Sequence, residues 1–494
     1  MSTVRFERKE LIDIKKKYAL IRDCLLGERR IKERSVQYLP IPNESDEADA
    51  CSKRYASYLK RAVFYNVTKR TLEGLCGQVF MREPVIAVPE VLDIVKEDAD
   101  GAGTNIVGLA KKGAEYTIAY GRAGLFIDYP VVEGGATIDQ IKSGDIRPTI
   151  ALFAPDKILN WRTVKRGART LLALVVLEET YYDQKDAFET RELTRWRVLR
   201  LENNVYTVEL FQIPTNTDGS HGLGAPTNMG VKTTPQGPDG NPLDEIPFTF
   251  IGASNNDYIV DEPPMYDIAT LNIGHYRNSA DYEESVFIVG QPTPVFTGLT
   301  EDWVTNVLKG KVRLGARAAV SLPVGGDAKL LQAAPNSMPK EAMEHKEKQM
   351  VALGARLVEQ KSVVRTATES GYDQATESSI LTSVAQNVSA AFTYALKWCA
   401  FFVGAPDDKI FMHLNTDFDI ATMSADDRRQ LMAEWQGGGI TWEEYRVNLR
   451  KAGIATENDE KARVTIDKEL ASIPGVVPAG GTPAKKPAGS GSGA

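Results

Sequence analysis

At 494 residues the chain is too long for one hydrophobic core, and a 43% share of hydrophobic residues excludes a disordered polymer. A formal net charge of -7 and a pI of about 5.5 exclude a protein that coats nucleic acid, because neutralising phosphates takes a surplus of Lys and Arg. Any contact with DNA is therefore expected to be loose or local. Cys24, Cys51, Cys76 and Cys399 lack the short spacings of a zinc site and read as reduced structural thiols in a cytosolic setting.

The first residues are charged from Arg5 onward and lack the apolar core of a signal peptide. No stretch approaches the ~20 apolar residues of a membrane span. The expected setting is the cytoplasm, with no membrane partner. From 7 to 25, Leu11, Ile14, Tyr18, Ile21 and Leu25 recur at helical spacing. A second helical region is predicted over 47–79, with Cys51, Tyr55, Leu59, Ala62, Leu72, Leu75 and Val79 inward. Its other faces carry Lys53, Arg54, Lys60, Arg61, Lys69 and Arg70, which read as a solvated surface or a basic stripe for a partner.

Between 121 and 251 the pattern changes to short runs rich in Val, Leu, Thr and Tyr, predicting mostly antiparallel strands at 124–128, 149–153, 171–182, 193–201 and 205–213. Residues 214–242 are rich in Gly and Pro and read as an exposed loop or hairpin extension. Helical spacing returns at Met265, Ile268, Asn272, His275, Tyr276, Tyr282 and Val286, and stops before Gly290. A short β-like segment follows. From 311 to 322 a strict alternation sets Val312, Leu314, Ala316, Ala318, Val320 and Leu322 on one face and Lys311, Arg313 and Arg317 on the other.

A helix is predicted over 340–359, then a polar connection, then a long helix over 377–403 in which Lys397 is the only charge after Ser378. A helix with so few charges is normally buried among other helices or other subunits. Gln386, Asn387 and Ser389 argue against its crossing a lipid bilayer. Three smaller helices follow. Ser424 with Asp427, and Thr441 with Glu444, have capping-box spacing, and Gly437, Gly438 and Gly439 supply a break. The composition beyond 474 predicts a disordered tail.

Motifs for chemistry are missing. GxxxxGK[ST], GxSxG and HExxH do not occur, and His221, His275, His345 and His413 are far apart. Asp98 with Asp100, Asp417 with Asp419, and Asp426 with Asp427 are the acidic pairs from which a metal-dependent nuclease would have to be built. Their plainer reading is a turn at 98–103 and a helix start at 426. No cofactor and no enzymatic activity are expected.

Five segments, in order, resemble a family of tailed-bacteriophage portal proteins long catalogued only as a domain of unknown function. They are 58–80 (YLKRAVFYNVTKRTLEGLCGQVF), 120–130 (YGRAGLFIDYP), 263–298 (PPMYDIATLNIGHYRNSADYEESVFIVGQPTPVFTG), 350–357 (MVALGARL) and 414–418 (LNTDF). The resemblance spans most of 38–470.

It implies an α+β, elongated portal-type subunit: a mixed α/β wing over 1–264, a first stem helix over 265–288, a small α/β clip over 289–337 and a second stem helix over 338–360. A tunnel loop, a long channel helix and a strand follow over 361–416, then a helical crown over 417–473 and the tail 474–494. The resemblance implies a closed ring of twelve subunits at the capsid vertex, serving as the channel for packaging and ejecting double-stranded DNA. Its partners are terminase, adaptor and tail proteins, and the major capsid and scaffolding proteins. It places the protein in the host cytoplasm during assembly and then in the virion.

Tunnel-loop candidates are Lys361, Arg365, Thr366, Thr368, Glu369, Ser370, Gly371 and Tyr372; clip-docking candidates are Lys311, Arg313 and Arg317. On this layout ring neighbours would bury the sparsely charged helix. The alternatives are another structural virion protein, such as a minor capsid or adaptor protein, and the nuclease.

Overall fold

A computed structural model of the chain describes residues 3–42, 48–130, 146–184, 188–214, 225–290, 293–308, 321–331, 336–358, 379–416, 418, 425–451, 454–455 and 459–472. The fold is α+β, and the chain divides into two compact units, 1–416 and 417–494.

The first unit opens with α1 (Lys9–Leu26) and the short α2 (Glu28–Glu33). The inward stripe of α1 is Leu11, Ile14, Tyr18 and Ile21, as the period predicts, but its last turn buries Asp23 and Cys24 while Leu25 is only half-buried. Asp23 survives there because Arg30 Nε (2.9 Å), Arg34 Nε (2.8 Å) and the Tyr38 hydroxyl (2.8 Å) all donate to its carboxylate. Burial alone would raise the Asp23 pKa; the hydrogen bonds from Arg34, Tyr38 and Arg30 outweigh it and hold the carboxyl below its ordinary value.

The region predicted as one helix over 47–79 is two: α3 (Ala48–Arg61) and α4 (Val67–Val79). Between them residues 62–66 leave the helix. The Asn66 side chain then caps α4 by accepting from the Lys69 amide at 3.0 Å. Next come β1 (Val85–Ala87), α5 (Asp93–Glu97) and α6 (Ile106–Tyr120). The sequence reading had not assigned α6. Gly121, at φ +77°, ends it in the left-handed conformation, where a Cβ would lie 2.8 Å from the Glu262 carbonyl oxygen.

The strands follow: β2 (Arg122–Asp128), β3 (Thr149–Phe153), β4 (Ile158–Arg166), β5 (Arg169–Gln184), β6 (Thr190–Glu202), β7 (Val205–Gln212), β8 (Thr227–Thr233) and β9 (Phe248–Gly252). They form an antiparallel three-stranded sheet in the order β3-β2-β9 and an antiparallel five-stranded meander β4 to β8. Of the two readings of 214–242, the hairpin extension holds over Thr227–Thr233, which pairs antiparallel with β7 as the edge strand of the meander. The run alternates only Met229 and Val231 with polar residues and is interrupted by Gly230, a signal too short to mark a strand by itself.

After the strands come α7 (Tyr266–Val289), β10 (Thr293–Thr297), a helical turn at Trp303–Val307, β11 (Asp327–Leu331), α8 (Met338–Arg356), α9 (Ile380–Phe402) and β12 (Phe411–His413). The core lies where α9 packs on the three-stranded sheet beside α6. Phe392 of α9, Ile251 of β9 and Leu152 of β3 converge on Gly113 of α6, all within 3.8 Å of where a Cβ would stand. Thirteen residues of α9 are buried, all in this unit. This corrects the expectation that ring neighbours cover the helix, since its own chain does so.

The polar residues of α9 serve as docking points. Asn387 Nδ2 donates to the Gly252 carbonyl (2.8 Å), and Asn256 Nδ2 donates to the Asn387 carbonyl (2.8 Å). The Ser389 and Thr393 hydroxyls accept from the amides of Leu414 (3.0 Å) and Met412 (2.9 Å).

The second unit contains α10 (Ala425–Gln436), α11 (Trp442–Lys451) and α12 (Asp459–Ser472). The capping box at Thr441 is formed in both directions: Thr441 N donates to Glu444 Oε2 (2.7 Å) and Glu444 N to Thr441 Oγ1 (3.2 Å). Trp435 stacks on Tyr445 with ring centroids 5.0 Å apart, and Trp442 tilts against both, a half-buried aromatic cluster that joins α10 to α11.

Candidate functional site

The part of the first unit that its own core does not explain is the excursion from α7 to α8. The N-terminal half of α7 is embedded, burying Ile268, Ala269, Asn272, Ile273, His275, Tyr276, Ser279 and Ala280. From Asp281 onward no residue of α7 is buried. The last turns nonetheless read Val286, Phe287 and Ile288, which are 50%, 44% and 50% exposed. The inward positions Tyr282 and Val286 predicted from the period are corrected accordingly. The stripe continues in the sequence, but the body of the unit does not continue beneath it.

Beyond α7, β10 and β11 pair as an antiparallel ribbon with Val295 opposite Lys329 and Pro294 opposite Leu330. All five residues of β11 are exposed, Leu330 by 64% and Leu331 by 67%. Val304, Val307 and Met338 nearby in sequence are exposed as well. Among the described residues no layer covers β11, and a two-stranded ribbon by itself is marginal in water. Several exposed large apolar side chains on one excursion of the chain make it the candidate interaction surface.

α8 returns along α7. His275 Nε2 lies 3.1 Å from Glu347 Oε1, and the Lys346 side chain passes over Gly274, where a Cβ would meet its Cε at 3.1 Å. His275 is thus a packed helical histidine paired across the two helices. At the base of the pair, Leu381 N donates to the Leu357 carbonyl (3.1 Å), so the chain enters α9 beside the point where it leaves α8. A groove of about 590 Å³ opens there, lined by Pro263, Asp267, Leu353, Arg356, Ile380 and Ser383 among others.

The tunnel-loop candidates Lys361, Arg365, Thr366, Thr368, Glu369, Ser370, Gly371 and Tyr372 lie outside the described residues, as do the docking candidates Lys311, Arg313 and Arg317 and the tail. The apolar residues at the end of α7 and on β11 were missed as a site. Their signal was present: Val286, Phe287, Ile288 and Val289 are apolar on every side of the helix, which a one-sided core does not require.

The basic side chains on α3 and α4 are partly engaged within the chain. Arg61 is salt-bridged to Glu284, whose carboxylate is also 4.0 Å from Arg54, and Lys69 lies 3.8 Å from Glu73.

The acidic pairs have structural employment. Asp98 Oδ1 accepts from the Gly101 and Gly103 amides at 2.9 Å each, its other oxygen meets Arg147, and Asp100 Oδ1 accepts from Ala102 and Thr104. Asp426 pairs with Arg429 at 3.1 Å, while Asp417 and Asp419 lie outside the described residues. Among the described residues no group of three His, Cys, Asp or Glu is placed to hold a metal ion. No described helix is long and apolar enough to cross a membrane. Cys24, Cys76 and Cys399 are buried, and burial pushes the Cys24 and Cys76 thiols up to about 12.

A family model, Domain of unknown function (DUF4055), matches residues 264–403, which run from the start of α7 to the end of α9. No curated protein matches the chain significantly. Among solved structures the chain is similar to a chain in the virion of a native gene transfer agent particle, at 16% identity and TM-score 0.39, covering 81% of this chain and 94% of that one. It is similar also to a chain in the neck of an empty gene transfer agent particle computed with C6 symmetry, at 15% identity and TM-score 0.39, covering 81% and 93%. Superpositions at that score carry no argument about function.

Proposed function

We propose that this chain is the portal subunit of a tailed bacteriophage or phage-like particle, a structural protein of the virion that closes into a ring and forms the channel for DNA. The observation that carries the reading is the uncovered excursion. A helix leaves a well-packed body, a ribbon with no core of its own follows, and a second helix returns to the same body. The order wing, stem, clip, stem and long helix is the one that the five resembling segments imply, and the family match spans the last four of these.

Identical wedges around a closed cyclic axis would each cover the next one's ribbon, a heterologous contact that ends only when the ring closes. Pro294 removes one donor from β10, while β11 keeps a donor at all five positions. Only the N–H groups that point away from the partner strand are open to a neighbour, and β11 has no proline to remove any of them. Twelve subunits, packaging and ejection of double-stranded DNA, and docking of terminase, adaptor and tail proteins, capsid and scaffolding proteins belong to this reading through the resemblance.

The acidic balance suits a channel wall, because a wall that bound phosphates tightly would hold DNA still. On this reading the chain carries no catalytic site and the energy for packaging comes from a separate motor. Lys311, Arg313 and Arg317 remain the proposed docking charges, and residues 361–376 the proposed loop at the channel.

Negative-stain electron microscopy of the purified protein tests the reading. Rings with an axial hole are expected. Compact particles without a hole, or filaments that never close, would point to another kind of virion protein, and metal-dependent cleavage of DNA would point to the nuclease.

A further inference from the structure

The chain from Tyr58 to Thr68 lies along α7 and bonds to it at four levels. Deepest is Asn272, fully buried, with its whole amide committed: Oδ1 accepts from Thr68 N (3.1 Å) and Thr68 Oγ1 (2.9 Å), and Nδ2 donates to the Tyr65 carbonyl (2.8 Å). About two turns further on, the Ser279 hydroxyl accepts from Val63 N (3.1 Å) and donates to the Val63 carbonyl (2.7 Å). Beyond these the chemistry changes. The Tyr58 hydroxyl donates to Asp281 Oδ1 at 2.6 Å, and Arg61 is salt-bridged to Glu284 with its guanidinium carbon 4.2 Å from the Phe287 ring centroid.

We propose that residues 58–68 hold the stem helix by two grips of different kinds: a fixed inner grip at Asn272 and Ser279, and a releasable outer latch at Asp281 and Glu284. The inner grip sets the axial register of α7. A helix sliding or rotating past this segment would strand the buried Thr68 amide and hydroxyl and the buried Asn272 side chain, which is costly, and would break the part-buried bonds to Val63 and Tyr65 as well. Neutral buried hydrogen bonds are also insensitive to salt.

The outer latch joins the buried Tyr58 hydroxyl to the carboxylate of the exposed Asp281 and adds an ion pair that water reaches in part. The Arg61 and Glu284 side chains are 24% and 16% exposed, and Arg54, at 4.0 Å from the same carboxylate, is 47% exposed. Such pairs weaken as ionic strength rises. The burial boundary of α7 falls at the same place, since nothing past Ala280 is buried. Opening the latch would release the outer turns of the stem from residues 58–68 and leave α8 beside them, while the inner turns stay in register. The inference concerns how α7 is held and stands whether or not the subunit forms a ring.

Hydrogen exchange with mass spectrometry on the full chain tests it, comparing proteins within one size-exclusion fraction so that assembly state is shared. The Asp281→Asn, Glu284→Gln double variant is expected to speed exchange of amides 284–290 by about tenfold while 268–280 keep their protection. High salt is expected to do the same to the unmodified protein. Asn272→Leu is expected to lower protection along the whole of α7. Uniform loss of protection along α7 in the double variant, or no change at 284–290, would overturn the two-grip account. Should Asn272→Leu not fold, the double variant and the salt comparison decide the matter.

Discussion

Two apolar regions of the first unit are alike in composition and opposite in fate. α9 has Lys397 as its only charge and is buried by the sheet β3-β2-β9 and by α6. The end of α7 and the ribbon β10–β11 carry Val286, Phe287, Ile288, Leu330 and Leu331, and nothing among the described residues covers them. Hydrophobicity alone therefore does not say whether a segment is core or contact surface. The partner that buries it does, and for the ribbon the proposed ring would supply that partner from another copy of the chain.

Substitutions separate the two cases. Phe392→Ala, in the fully buried centre of α9, is expected to cost about 3–5 kcal/mol, read as a lower midpoint of denaturant unfolding with an unchanged slope. A cost near zero would mean that this core is not packed as described.

Next in size is Asp23, where Asp23→Asn is expected to cost about 2 kcal/mol by weakening charged hydrogen bonds from Arg30 and Arg34. Because the folded Asp23 pKa is depressed, its stabilisation is complete above the ordinary carboxylate range and is lost as pH falls through the folded value. Acid unfolding should therefore be shallower in the variant. Identical acid profiles would remove Asp23 from the account.

Asn387→Ala, which leaves the Gly252 carbonyl without its donor, is expected to cost about 1–3 kcal/mol in thermal unfolding. Retention of full stability would show that water replaces the amide.

Smallest in stability is Leu330→Gln with Leu331→Gln, expected to change the unfolding free energy of the subunit by no more than about 0.5 kcal/mol. The same pair is expected to weaken self-association measured by analytical ultracentrifugation. Unfolding of the variant would show that the ribbon already has a core.

Much of the framework was legible. The strand 149–153 was read to the residue, α7 to within one residue at its start, and the Thr441–Glu444 box from spacing alone. These elements carry their cause locally, in a period or a cap. The break at 62–66 was missed because its reason is non-local: Tyr65 and Val63 leave the helix to bond Asn272 and Ser279, more than two hundred residues away. β8 alternates only Met229 and Val231 around Gly230, a pattern too short to read as a strand without its partner β7. The covering of α9 was assigned to ring neighbours because a stripe records that it is buried and not by whom. The apolar end of α7 shows the converse error, a stripe read as inward where the body of the unit has already ended.

The most direct test of the ring is native mass spectrometry of the purified full chain beside the Leu330→Gln, Leu331→Gln variant across a range of salt and protein concentration. One closed stoichiometry is expected for the unmodified protein and a shift toward monomer for the variant. Monomer alone under every condition for the unmodified protein, or assembly by the variant that is indistinguishable from it, would contradict the account.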